Sequence, residues 1–400
     1  VNRSSKLKKV FIRTLLVALI AAHVGNIAAQ EKKSIFDSVS TSVTYTADLL
    51  GNTMGGFDTG LRYFDNLDVE VEAKWNDFTF FAYGLANQGG SISELAGDFQ
   101  AISNIEAENS WRIFEAWANI PVQPIKSSIL VGLYDLNSEF DEINTGLLFM
   151  NSSHGIGPDL SFSGVTGPSI FPLSSLGIRF KTNLIPGITI KGAVLDAVPS
   201  DPTNTTGTKV RLRESEGVLM IGEVSWYKRP EAGQSIDRGV NEDSPFRVAI
   251  GLWQYSEERE GWNGEMELDA GLYAIAEARV FSEKGGTEQG LSIFGRFGAV
   301  NEDINRFSQY IGTGLTYTGL LPGRDQDQFG IAASLPMNSD PFLDENRLDL
   351  ANELITEVTY LWIVTESFSL QLDAQYIANP NQAEDLEDAL VVGIRTSIGF

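Results

Sequence analysis

The 400 residues carry 53 acidic and 29 basic side chains, a net charge of −24 and no cysteine. That excess of carboxylates argues against nucleic acid as a partner, because phosphate binding draws on Lys and Arg, and the missing cysteine excludes disulfides and thiolate metal sites. Beyond residue 29 no long uncharged apolar run occurs, so any membrane crossing falls to strands, whose signal is alternation rather than average hydropathy.

The chain opens on Arg3, Lys6, Lys8, Lys9 and Arg13 without one acid among them. A short apolar run from Thr14 to Ala22 follows, then Ala28 and Ala29 before Gln30 and Glu31. This is the order of a secretory signal peptide, with an apolar core too short to span a bilayer comfortably. Residues 1–29 are read as the leader and 30–400 as one exported domain. Ile27 stands where a small residue is preferred for cleavage after Ala29. Losing the leader takes the net charge to −29, since it holds five positive charges and no negative ones.

The rest reads as a succession of strands. Val39, Thr41, Val43, Tyr45, Ala47 and Leu49 alternate with small polar residues. Leu67, Val69, Val71, Ala73 and Trp75 alternate with Asp68, Glu70, Glu72 and Lys74. Charges at every second strand position require water on that face. Asn76-Asp77 then turns the chain into the aromatic strand 78–86, which makes a hairpin. Further strands are expected at 111–120, 127–136, 174–183, 189–196, 216–228, 246–256, 267–281, 289–300, 309–319, 328–335, 353–364 and 367–377. The closing strand alternates Val392, Ile394, Thr396, Ile398 and Phe400 against Val391, Gly393, Arg395, Ser397 and Gly399. It ends on an aromatic carboxyl terminus, where a soluble chain would ordinarily fray. The count is about sixteen, an even number as expected of an outer-membrane barrel. Connectors alternate too: 76–77, 184–187 and 365–366 are short, whereas 87–110, 137–173 and 198–215 are long, as when one rim faces the periplasm and the other the exterior. On 267–281, Glu267, Asp269, Tyr273, Ile275, Glu277 and Arg279 share the wetter face, which points to a wet interior because bare charges in a dry core are expensive. The fold class is therefore all-β: a single transmembrane antiparallel barrel of about sixteen strands with long extracellular loops.

Several motifs carry a resemblance: Arg112-Ile-Phe-Glu-Ala-Trp117, Val131-Gly-Leu-Tyr-Asp-Leu-Asn-Ser-Glu-Phe-Asp141, Phe149-Met-Asn-Ser-Ser-His-Gly-Ile-Gly-Pro158, Gly167-Pro-Ser-Ile-Phe-Pro172, Leu176-Gly-Ile-Arg179 and Val392-Gly-Ile-Arg395. In order and spacing the set, from about residue 35 to 400, resembles the carbohydrate-selective porins of the OprB family. The resemblance implies a sixteen-stranded outer-membrane barrel through which sugars diffuse past inward-folded loops. Its better-known glucose-selective members place an arginine just after the third strand. Here Tyr83–Gly90 has none, which puts glucose preference in question. They also place a tryptophan where this chain has Phe171.

Sugar passage asks for hydrogen-bonding groups to replace water at the hydroxyls and an aromatic platform for the ring face. Asp135, Asn137, Glu139 and Asp141 lie at a strand end and the start of the longest loop, with Asn151, Ser152 and Ser153 further along it. These are candidates for a sugar site, although Asp, Asn and Ser also serve simply to form turns. Arg179 is a lumen candidate because its face neighbours are Gly177 and Lys181, and Phe171 is the candidate platform. Arg112 and Glu115 have opposite strand parity, so both point inward only across a bulge. Trp117, Trp226, Tyr227, Trp253 and Trp362 are read as interface girdles. The acidic clusters at Asp201, Glu302-Asp303, Asp325–Asp327 and Asp385–Asp388 lack a calcium-loop spacing and are read as solvated charge. No cofactor is expected. Nor is an enzyme: His23 and His154 are the only histidines, and His23 falls in the leader. The partners implied are sugars in transit and outer-membrane lipid. Homo-trimers are common among large porins, but nothing in these motifs requires one. The rival reading, prompted by the negative charge, is a general or cation-preferring porin.

Overall fold

The structure, a computed structural model, describes residues 35–201, 204, 206–213, 215–227, 246–283, 289–382 and 386–400. The proposed leader lies outside them. Sixteen strands follow in chain order. The first eight are β1 Ser38–Met54, β2 Gly60–Trp75, β3 Phe78–Gly89, β4 Ser110–Val122, β5 Ser127–Tyr134, β6 Ser175–Ile185, β7 Ile188–Asp196 and β8 Val218–Tyr227. The second eight are β9 Phe246–Glu260, β10 Met266–Ser282, β11 Gly290–Val300, β12 Phe307–Thr318, β13 Gln328–Asn338, β14 Leu354–Thr365, β15 Phe368–Ala378 and β16 Ala389–Gly399. Each pairs with its chain neighbours, and β1 pairs with β16, so the sheet closes into a barrel. Closure leaves no unpaired edge, the condition for placing strands in hydrocarbon. The last residue takes part in the seam: Phe400 N–H donates to Val43 O at 3.0 Å, and Val43 N–H donates to Phe400 O at 3.2 Å. Phe400 is thus held in the ladder that joins β16 to β1.

Alternation sets what faces out. On β6, Ile178 is 57% exposed while the next residue, Arg179, is 4% exposed. Ile250, Leu252, Leu372 and Ile394 likewise project outward as exposed apolar side chains. Each gains roughly 1.5–3 kcal/mol on leaving water for an apolar medium such as lipid. Trp75, Trp226 and Trp362 stand outward and exposed at the strand ends nearest the short turns, where amphipathic rings meet headgroups. Of the five expected girdle residues, Trp226 and Trp362 thus stand as read, and Trp117, Tyr227 and Trp253 need correction. Tyr227 and Trp253 are buried on the inner face, Tyr227 beneath the Arg247 guanidinium at 5.9 Å. Trp117 is turned inward by an irregularity in its strand.

The interior also departs from the expectation. Two acids of β10 do not face open water: Asp269 is buried against Arg259 at 2.5 Å, and Glu277 against Arg247 at 3.0 Å. Loop 135–174 folds inward and builds an apolar cluster there, with Phe140, Phe149, Leu160, Tyr273 and Phe294 buried together. A second cluster, including Ile92, Leu95 and Ile102, lies under loop 90–109. Two acids read as solvated are likewise buried. Asp201 pairs with Lys209 at 2.5 Å and Arg211 at 3.2 Å, and Asp327 with Arg324 at 2.7 Å. Local basic partners supply the reason, because a paired charge tolerates burial.

Candidate functional site

Loop 135–174 begins where β5 ends and is shaped by its own polar residues. The Asp135 carboxylate accepts from Asn137 N–H at 3.1 Å and caps the turn Leu136–Ser138. Asn137 Nδ2 donates to Phe140 O and Gly155 O, both at 3.1 Å, and so ties two limbs of the loop together. Asn151 Oδ1 accepts from Ser153 N–H at 3.0 Å and caps Ser152–His154. Pro158 opens the next helical turn, Pro158–Ser161. Short side chains that bond the nearby backbone favour such turns over strand.

From there the loop is fastened to the far wall. Arg296 of β11 donates to Asp141 at 2.9 and 2.7 Å through Nε and Nη2, and its Nη1 and Nη2 reach Asp159. All three are buried, and the guanidinium lies between the rings of Tyr310 at 5.0 Å and Tyr273 at 5.7 Å. Gly157 and Gly298 make room, since a side chain at either would collide with this cluster. Further along, Met150 and Asn151 N–H donate to Glu357 of β14 at 2.7 and 3.0 Å. Asn151 Nδ2 donates to Gln375 of β15 at 3.2 Å, and Gly164 N–H to Asp269 at 2.6 Å. The loop therefore crosses the lumen from its root at β5 and β6. His154 packs on Phe149 and Phe294, with Glu357 4.0 Å away and no hydrogen-bond partner at either ring nitrogen among the described residues. Burial pushes its pKa down to about 3, so it stays neutral.

The sequence candidates divide accordingly. Asp135, Asn137, Asp141 and Asn151 all hold the loop's shape or its anchorage. Burial, then the charge of Glu115, pushes the Asp135 carboxyl well above the usual range. Glu139 and Arg179 come together, Nε to Oε2 at 2.6 Å, and Lys181 meets the other oxygen of Glu139 at 3.1 Å. Burial raises the Glu139 pKa, but Lys181 and Arg179 outweigh it and hold the carboxyl below its ordinary value. Phe171 is half-buried where the loop returns to the wall, edge-on to Phe114 at 6.1 Å. It is not brought together with Glu139 by any direct contact found among the described residues. The bulge that inward Arg112 and Glu115 would require exists: pairing of β3 with β4 slips between Tyr83 and Gly84, so Arg112, Phe114 and Glu115 are all buried on the inner side. Sequence reading missed Arg296, Arg247, Lys191 and Asp159. Arg296 had a signal in Phe294-Gly-Arg-Phe-Gly298, an arginine beside glycine on the inward row, as at Arg179.

A model of the family described as "Carbohydrate-selective porin, OprB family" matches residues 58–400. The chain belongs to that family. Porin B of Pseudomonas aeruginosa is 22% identical over 411 residues, covering 89% of this chain and 86% of that protein. The high-pH structure of Pseudomonas putida OprB superposes with a TM-score of 0.77 at 18% identity, covering 90% of this chain and 94% of that one. The outer-membrane channel DcaP of Acinetobacter baumannii shares the fold more distantly, with a TM-score of 0.57 at 10% identity, covering 91% of this chain and 97% of that one. The protein is thus an outer-membrane porin for carbohydrates in a Gram-negative envelope, and its fold is that of a channel. In this porin Arg62 of β2 lies over Gly90, the end of the stretch that lacks an arginine, and a side chain at Gly90 would collide with it.

Proposed function

We propose that sugars diffuse passively through the space left between loop 135–174 and the wall at β1–β4, touching Phe171 and Glu139, with Arg179 holding the Glu139 carboxylate in place from the wall behind it. Asp135, Asn137, Asp141 and Asn151 shape that passage from behind, through the loop. The observation that carries this reading is the buried Arg296–Asp141–Asp159 cluster, which fixes the loop across the lumen. No bond is made or broken in the sugar, and the reading assigns no catalytic residue. Planar-bilayer recording tests it. Sugar should block single-channel current, and Phe171→Ala should weaken the block about threefold, as for loss of one aromatic contact. Strong cation preference with indifference to every sugar would reject the reading, and an unchanged block would remove Phe171 from the site.

A cation preference alongside sugar passage has its own support. Asp68, Glu70 and Glu115 face the lumen and accept hydrogen bonds from Tyr83, Ser42 and Trp117, all neutral donors. A wall of one sign draws counter-ions into the pore.

A homo-trimer is supported by one outward feature. Asp65 alternates with the inward Phe64 and Asn66, so it faces out, yet it is only 6% exposed beside the linked hydroxyls of Tyr45 and Tyr63. A carboxylate on the outer face is better placed against protein than against lipid chains. Light scattering of the detergent-extracted porin should give three barrels per particle, and a single-barrel mass rejects the trimer. Residues 1–29 are proposed as a cleaved export signal. Mass spectrometry of the outer-membrane form should begin near Gln30, and an intact leader there would refute cleavage.

A further inference from the structure

β4 changes sides partway along. Trp111 and Ile113 face outward and are exposed, so continued alternation would send Glu115 and Trp117 outward too. The extra residue at Phe114 reverses the parity. Glu115 then lies on the lumen side and accepts from Trp117 Nε1 at 3.1 Å. Trp117 stacks on Phe81 of β3, ring centroids 4.9 Å apart and 27° from parallel. Phe81 meets Tyr83 at 6.4 Å, Tyr83 meets Phe114 at 5.3 Å, and Phe114 meets Phe171 at 6.1 Å. Aromatic rings thus run in contact from the loop's return toward the rim of short turns. Phe114 is buried, whereas Phe81, Tyr83, Trp117 and Phe171 are only half-buried.

Acceptors accompany the rings. Glu70 pairs in register with Tyr83, and Glu72 with Phe81, both acids on the lumen row of β2. Glu115 stands beside Trp117. A pyranose offers an apolar face to a ring and a rim of hydroxyls that donate to carboxylates. The step between the half-buried rings of Phe81 and Tyr83, 6.4 Å, is comparable to the length of one sugar ring, and buried Phe114 bridges from Tyr83 to Phe171.

We propose that the inner face of β3 and β4 is an extended carbohydrate track, with Tyr83 and the Phe81–Trp117 pair as successive platforms below Phe171. It favours linear oligosaccharides that engage two or more platforms over monosaccharides that engage one. The proposal rests on the carbohydrate-porin reading and adds to it a preference for length. Each contact stays weak, because a tightly held sugar would not leave the pore.

The test is sugar block of single-channel current by glucose and by maltotriose, each normalised to the variant's own sugar-free conductance. The wild type should bind maltotriose more tightly than glucose. Trp117→Ala should weaken maltotriose block about tenfold and glucose block less than about twofold, as for loss of one aromatic platform. Trp117→Phe should keep most of the length preference, which a role in packing alone would not predict. Should Trp117→Ala fail to insert, Phe81→Ala is read in the same way. Equal losses for the two sugars, or none, overturn the track while leaving the porin reading in place. A wild-type channel that neither sugar blocks, in vesicles that neither sugar enters, overturns both.

Discussion

The two walls of the lumen are built on different principles. From β6 to β11 the inward rows carry Arg179, Lys181, Lys191, Arg247 and Arg296, each paired with a carboxylate of the loop or the wall. From β2 to β4 they carry Asp68, Glu70, Glu115 and a run of half-buried rings, with no cation bonded to those three acids among the described residues. On the first wall the hydrogen-bonding capacity is spent inside the protein, and the wall serves as an anchor. On the second it remains available to whatever passes. Charge density alone would have ranked the first wall as the functional one.

The largest expected effect comes from breaking the anchor. Arg296→Met leaves Asp141 and Asp159 buried without their cation, a loss on the order of 3–5 kcal/mol. The loop should leave its seat, and single-channel conductance should rise severalfold while the barrel still shows heat-modifiable migration in gels. Unchanged conductance would mean that the loop does not depend on this cluster. Next comes the open wall. Glu70→Gln combined with Glu115→Gln should move the reversal potential in a salt gradient toward zero, whereas Lys191→Gln, on the saturated wall, should move it less. Equal shifts would erase the distinction between the walls.

The smallest effects concern pH and set two loops against each other. Burial, then the charge of Glu106, pushes Asp98 up to about 7; burial, then Asp98, pushes Glu353 up to about 8. Unfolded, such groups release their protons near pH 4, so the folded loops hold more protons between about 4 and 8. Their packing is therefore strongest in acid and weakens as pH rises through 7 and 8. His154 behaves oppositely: its packing is at full strength above about 6.5 and is lost as pH falls toward 3. Melting temperature against pH should lose its decline between about pH 4 and 8 in Asp98→Asn/Glu353→Gln and its fall below about pH 6.5 in His154→Phe. A variant that keeps its slope rules out that group.

How much was legible follows from period and partner. All sixteen strands show in the sequence because one face meets lipid and the other does not, which imposes alternation over lengths too great for chance. The hairpin at Asn76-Asp77 and the conditional bulge near Arg112 and Glu115 were legible for the same reason. Trp117 was put on the wrong side because a single extra residue, invisible in composition, reverses parity. Tyr227 ends its strand, where an aromatic suits headgroups and lumen alike, whereas Trp253 lies mid-strand because β9 runs to Glu260, past the end at 256 that the alternation suggests. The loop's path depended on Arg296 finding Asp141, 155 positions away in the chain, and local pattern carries no trace of such a pairing. Asp201 shows the shorter-range version, because its burial depends on Lys209 and Arg211 curling back within one loop.

The extra residue at Phe114 bears on how such a channel can diverge. Removing it, or adding one more residue upstream in β4, would exchange the lining of the conduit with its greasy exterior from that point on. Glutamate and indole would be evicted together into the bilayer. Length changes in this strand are therefore tolerable only in pairs, whereas the loops outside can grow or shrink one codon at a time. Drift in sugar preference should accordingly proceed here by replacement and at the rim by insertion.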